Sequence, residues 1–151
     1  MKYLIIFVLI SMTQLNTSCS NKKSIMSGTV SYISMKNDVL SFRCNGTGSN
    51  KEDATKDAQI NAFKILFFRG VPGSTYSAPM ISVNEAQELQ KNKMYFDKLF
   101  NENRYLSFVT SSTVATVYNS KENKIAIEIS INTRSVRQDL VNNKILSDYG
   151  F

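Results

Sequence analysis

The chain reads as an α+β domain, a two-layer sandwich in which helices cover one face of an antiparallel sheet of about four strands. Three observations carry that reading. Short stretches rich in β-branched and aromatic residues stand two before and two after a helical middle. Ile125, Ile127, Ile129 and Ile131 alternate with Ala126, Glu128, Ser130 and Asn132, the pattern of a strand with one buried and one wet face. Ala54, Ala58 and Ala62 recur at every fourth residue, which gives a helix a small-residue stripe that can approach a sheet closely. The resulting order is strand, strand, helix, helix, strand, strand, helix, and no internal repeat interrupts it.

Residues 1–18 precede the domain as a secretory signal peptide: a basic start at Met1-Lys2, an apolar run from 3 to 10 and a polar run from 11 to 18. The apolar run falls well short of the roughly 20 residues that cross a bilayer. Leu15-Asn16-Thr17-Ser18-Cys19 resembles the lipobox of bacterial lipoproteins, although Leu15 sits one place early and Asn16 fills its usual position. That resemblance implies that Cys19 is acylated by chains such as palmitate and becomes the first mature residue. Ordinary cleavage nearby is the alternative, leaving Cys19 a plain thiol. Residues 19–28 then form the lipidated Cys and a polar tether, and 29–151 a single domain. Lys22-Lys23 stand where acidic residues direct some lipoproteins to the cell surface, so the expected address is the periplasmic face of the outer membrane.

Residues 29–34 and 38–43 read as a hairpin turned at Lys36-Asn37-Asp38. Gly46 and Gly48 end the second strand, and Ser49 with Glu52 forms a capping box for a helix over 51–68, stopped by Arg69-Gly70 and Pro72. A second capping box at Ser82 and Glu85 opens a helix over about 84–100 that carries Phe96 and Phe100. Residues 105–118 read as a long, bulged strand, paired through a polar turn with the alternating isoleucine strand. Thr133 caps a last helix with Val136, Leu140 and Val141 inward.

Composition excludes more than it selects. The chain has no His and no Trp, which removes Ser-His and Cys-His nucleophiles and the commonest transition-metal ligand. No cofactor or metal is expected, and an enzyme is disfavoured. Without Lys2 the formal charge falls from +6 to +5, scattered rather than clustered. Nucleic acid is therefore not an expected partner, and the excess reads as a solvated surface or a weak preference for anionic envelope surfaces. Lipidation of Cys19 leaves Cys44 as a lone thiol, whereas two free Cys can pair.

Gly46-Thr47-Gly48-Ser49 fits neither the dinucleotide fingerprint nor the Walker pattern, and a strand-to-helix turn explains it. Residues 67–74 form the most unusual string. Arg69 and Ser74 there, and Tyr76 in the loop that follows, are candidate binding residues, weighed against a plain helix stop. Arg134 and Arg137, one turn apart, are candidates for gripping a carboxylate or phosphate.

The strand ending in Cys44-Asn45-Gly46-Thr47-Gly48, the charged cap and the helix bearing Ala54, Ala58, Asn61 and Ala62 resemble the alanine-rich region of LPP20-type envelope lipoproteins and of the related FlgT amino-terminal domain. The likeness covers about a third of the mature chain; the 67–74 segment and the aromatic second helix depart from it. It implies a small α+β accessory domain of the cell envelope, without catalytic residues. The functional expectation is a non-enzymatic, lipid-anchored domain that binds another envelope component, a protein above all, with 69–74 and the loop that follows as the contact surface. The alternative is a periplasmic small-ligand carrier whose pocket is lined by Tyr95, Phe96 and Phe100.

Overall fold

A computed structural model of the chain describes residues 30–82 and 84–147. The leader, Cys19, the tether and the last four residues lie outside them, and with them the expectation of acylation.

β1 (Ser31–Lys36) and β2 (Val39–Thr47) form the expected hairpin, and β3 (Val109–Asn119) pairs with β4 (Lys124–Asn132) in a second one. The sheet order is β1-β2-β4-β3 with every neighbour antiparallel, so β2 and β3 run parallel with β4 between them. Asn37 and Asp38 turn the first hairpin with φ of 49° and 62°, the two left-handed residues that match strand twist. β3 is bulged, as anticipated, with register shifts after Val109, Val114 and Thr116.

α1 (Lys51–Phe68) lies across β2 and β4. Its Ala54, Ala58 and Ala62 are fully buried, facing Leu40, Phe42, Ile125, Ile127, Ile129 and Ile131 in one core. The approach is close enough that a Cβ on Gly46 would stand 2.2 Å from the Ala54 carbonyl oxygen and 2.3 Å from the Ala58 nitrogen. That contact corrects the expected strand end near Arg43: β2 continues through Gly46, paired with Ile125, because the missing side chain lets the helix pass over a strand rather than a loop. Gly70, at φ +80°, ends α1 as expected, its N–H donating to the Ile65 carbonyl at 2.8 Å.

Three further corrections concern helices. The expected single helix over 84–100 is α2 (Glu85–Lys91) and α3 (Lys93–Phe100), broken at Asn92. Asn92 leaves the helical region, with φ −110° and ψ 38°, while its N–H still closes α2 on the Glu88 carbonyl at 3.0 Å and its side-chain amide donates to Glu88 Oε1 at 2.6 Å. Residues 104–108 make a 3-10 turn (Arg104–Phe108) instead of opening β3, because Tyr105 turns into the core, 5.6 Å from the Phe63 ring, and donates to Gln59 on α1. The caps shift by one or two residues. Asn50, Asn84 and Asn132 accept the first-turn N–H bonds of α1, α2 and α4 (Thr133–Asn142), where Ser49, Ser82 and Thr133 were expected. Thr133 instead donates both its N–H and its hydroxyl to the Asp38 carbonyl, each at 2.8 Å, tying α4 to the first hairpin.

Candidate functional site

The helical layer closes around Phe63, whose ring meets Phe67 at 5.9 Å and Tyr105 at 5.6 Å. Phe96 and Phe100, stacked at 5.9 Å, belong to this core. Of the three aromatics assigned to a carrier pocket, Tyr95 alone reaches the surface, and it lines a cleft of about 480 Å³ where α2 and α3 meet the 3-10 turn and the end of α4.

That cleft is cationic. Lys91 ends α2, Lys93 and Lys98 project from α3, and Arg104 forms the far wall, with Met94 and Asn143 between them. The break at Asn92 positions the set: α3 buries Phe96, Leu99 and Phe100, which turns Met94 and Lys98, one helical turn apart, to solvent beside Lys91. Lys93 pairs with Asp97 on its own helix. Among the described residues, Lys91 and Lys98 have no carboxylate partner. Each also stands in the last turn of its helix, where a positive charge offsets the dipole.

Arg104 is fixed. Its Nη1 and Nη2 donate to the two Asp139 oxygens at 2.8 and 3.0 Å, and its guanidinium lies 5.0 Å from the Tyr95 ring centre. The Tyr95 hydroxyl donates to Asp139 Oδ2 at 2.7 Å. Burial and that bond hold the phenol well above its ordinary value of 10.0. Among the described residues the cleft therefore offers two ammonium groups without a carboxylate partner and an aromatic edge beside an arginine already neutralised by Asp139, an arrangement suited to an anion with an adjoining apolar group.

The residues proposed from sequence lie elsewhere and apart. Arg69 faces Glu85 at 3.6 Å, and Lys64 faces the same carboxylate at 3.8 Å. Ser74 closes its own turn, its hydroxyl donating to the Val71 carbonyl at 2.8 Å and accepting from the Tyr76 N–H at 3.0 Å. Arg134 reaches Asp38 at 2.7 Å, across the first hairpin. These contacts engage the side chains of Arg69, Ser74 and Arg134, while Tyr76 takes part through its backbone N–H. Cys44 is fully buried, its thiol donating to the Ala58 carbonyl at 3.3 Å. Burial, with the charge of Asp57, pushes that thiol up to about 12, which removes its nucleophilic form at neutral pH.

Sequence reasoning passed over the lysines and Arg104. The spacing of Lys91, Met94 and Lys98 was a readable signal, whereas the Arg104 and Asp139 pair has none, being 35 residues apart. Among the described residues no group of carboxylates and Cys is arranged to hold a metal, and no helix is long and apolar enough to cross a membrane. Comparison with protein-family models, curated proteins and solved structures finds no match for this chain.

Proposed function

We propose that this chain is a non-enzymatic, lipid-anchored domain of a bacterial envelope, held by acylated Cys19, that recognises an anionic envelope component in the cleft of Lys91, Lys93, Lys98 and Arg104. The observation that carries the reading is the pair Lys91 and Lys98, cations without carboxylate partners among the described residues, beside an arginine already fixed by Asp139. The likeness to LPP20-type lipoproteins and the lipobox supply the setting, and anchoring by several acyl chains leaves recognition as the task of the domain. The reading moves the contact surface away from residues 69–76, where Arg69 faces Glu85 and the Ser74 hydroxyl closes its own turn.

The anchor is tested by the intact mass of the protein extracted from membranes; a chain of 19–151 carrying diacylglycerol and an acyl group is expected. Recognition is tested with an immobilised oligoglutamate peptide as the model anion. Exposed charge pairs contribute about 0.2–1 kcal/mol each at low salt, so K91E/K98E should weaken retention about tenfold, and salt should weaken it for the wild type. Equal retention of both proteins contradicts the placement.

A further inference from the structure

Met94 is 79% exposed, the most exposed large apolar side chain of the helical layer among the described residues. It stands between Lys91, three residues before it, and Lys98, four after it, with Lys93 adjacent. An apolar tip ringed by lysines matches the boundary of an anionic bilayer, where the ammonium groups meet headgroup phosphates and the thioether enters the acyl edge. Tyr95, half-buried beside it, has the amphipathic character favoured at that depth. We infer that the cleft docks on the anionic headgroup layer of the membrane that carries the anchor, so that the domain lies against the lipid with the α2–α3 corner down. The inference rests on the anchored, anion-recognising reading above and names its anionic component as lipid. Charge complementarity carries the choice of occupant: Asp97 and Asp139 are already bound to Lys93 and Arg104 and Glu88 is buried against Asn92, which leaves Lys91 and Lys98 as cations without a carboxylate partner among the described residues. The tether allows it. Ten residues, 20 to 29, separate Cys19 from the first described residue and span at most roughly 35 Å, so an anchored domain stays near the headgroups.

The chain has no Trp, so a single introduced indole reports its own surroundings. Purified mature Met94→Trp protein is placed in phosphatidylglycerol or phosphatidylcholine vesicles, with Val117→Trp as the control; Val117 is 88% exposed on β3. The expected result is a blue shift and quenching by brominated lipid for Met94→Trp in phosphatidylglycerol alone, lost on adding K91E/K98E and in 1 M salt, where the Debye length is about 3 Å. Val117→Trp should stay solvent-like in both vesicles. Identical Met94→Trp emission in the two vesicle types overturns the inference. If that happens while oligoglutamate retention still depends on Lys91 and Lys98, lipid falls and anion recognition stands. If neither depends on them, both fall.

Discussion

Arg104 and Asp139 meet through two parallel hydrogen bonds of 2.8 and 3.0 Å, joining the 3-10 turn to α4, while Tyr95 of α3 donates to the same carboxylate. One acid thus fixes three helical elements. Asp139→Ala leaves the guanidinium and the phenol without their acceptor. With the Asp139 side chain 19% exposed and that of Arg104 35%, a loss of about 2 kcal/mol is expected in urea unfolding. A loss below about 0.5 kcal/mol would show that the pair is only a surface contact.

The same cluster sets an alkaline limit. The native Tyr95 phenol is held above the ordinary 10.0, so native and unfolded forms are both protonated below pH 10 and its contribution is constant there. Above pH 10 the unfolded phenol ionises first, and stability falls as pH rises. Tyr95→Phe should remove part of that fall, read as a shallower loss of Tm between pH 10 and 11. An identical slope would contradict the shift.

Cys44 should ignore thiol reagents in the native state. With the thiol raised to about 12 and fully buried, disulfide-exchange labelling at pH 8 should proceed no faster than unfolding. Rapid labelling of the folded protein would place Cys44 at a surface.

The contact between β2 and α1 admits no side chain. Gly46→Ala puts a methyl group within 2.3 Å of backbone atoms of Ala54 and Ala58, which no rotamer change on α1 relieves. A loss of about 3 kcal/mol or more is expected, seen as insoluble or low-Tm protein. Unchanged stability would require α1 to sit farther from the sheet.

Asn50→Ala should cost about 1 kcal/mol by removing the 2.8 Å bond from the Asp53 N–H, whereas Ser49→Ala, which loses only an exposed bond to the Asp53 carboxylate, should cost a few tenths. The reverse ranking in thermal unfolding would restore the capping frame expected from sequence.

These variants also mark where sequence was informative. The isoleucine alternation of β4 and the alanine stripe of α1 are local periodicities, and the sheet and its covering helix followed from them. The caps slipped because Asn and Ser cap equally well: they stand side by side at 49–50, Asn84 stands two residues after Ser82, and Asn132 directly precedes Thr133. Tyr105 escaped because strand parity for Leu106 and Phe108 says nothing of a ring that packs on a helix about forty residues earlier, at 5.6 Å from Phe63. The cleft followed the same division. Tyr95 and the lysines are visible in order, but the break at Asn92 and the clamp between Arg104 and Asp139 exist only once the chain has folded.

The cationic cleft is tested most directly by titrating isotope-labelled protein with oligoglutamate and following amide and side-chain resonances. The account predicts shifts concentrated at Lys91, Tyr95, Lys98 and Arg104 and absent in K91E/K98E. Shifts centred on Arg69 and Tyr76, or on Arg134, would contradict it.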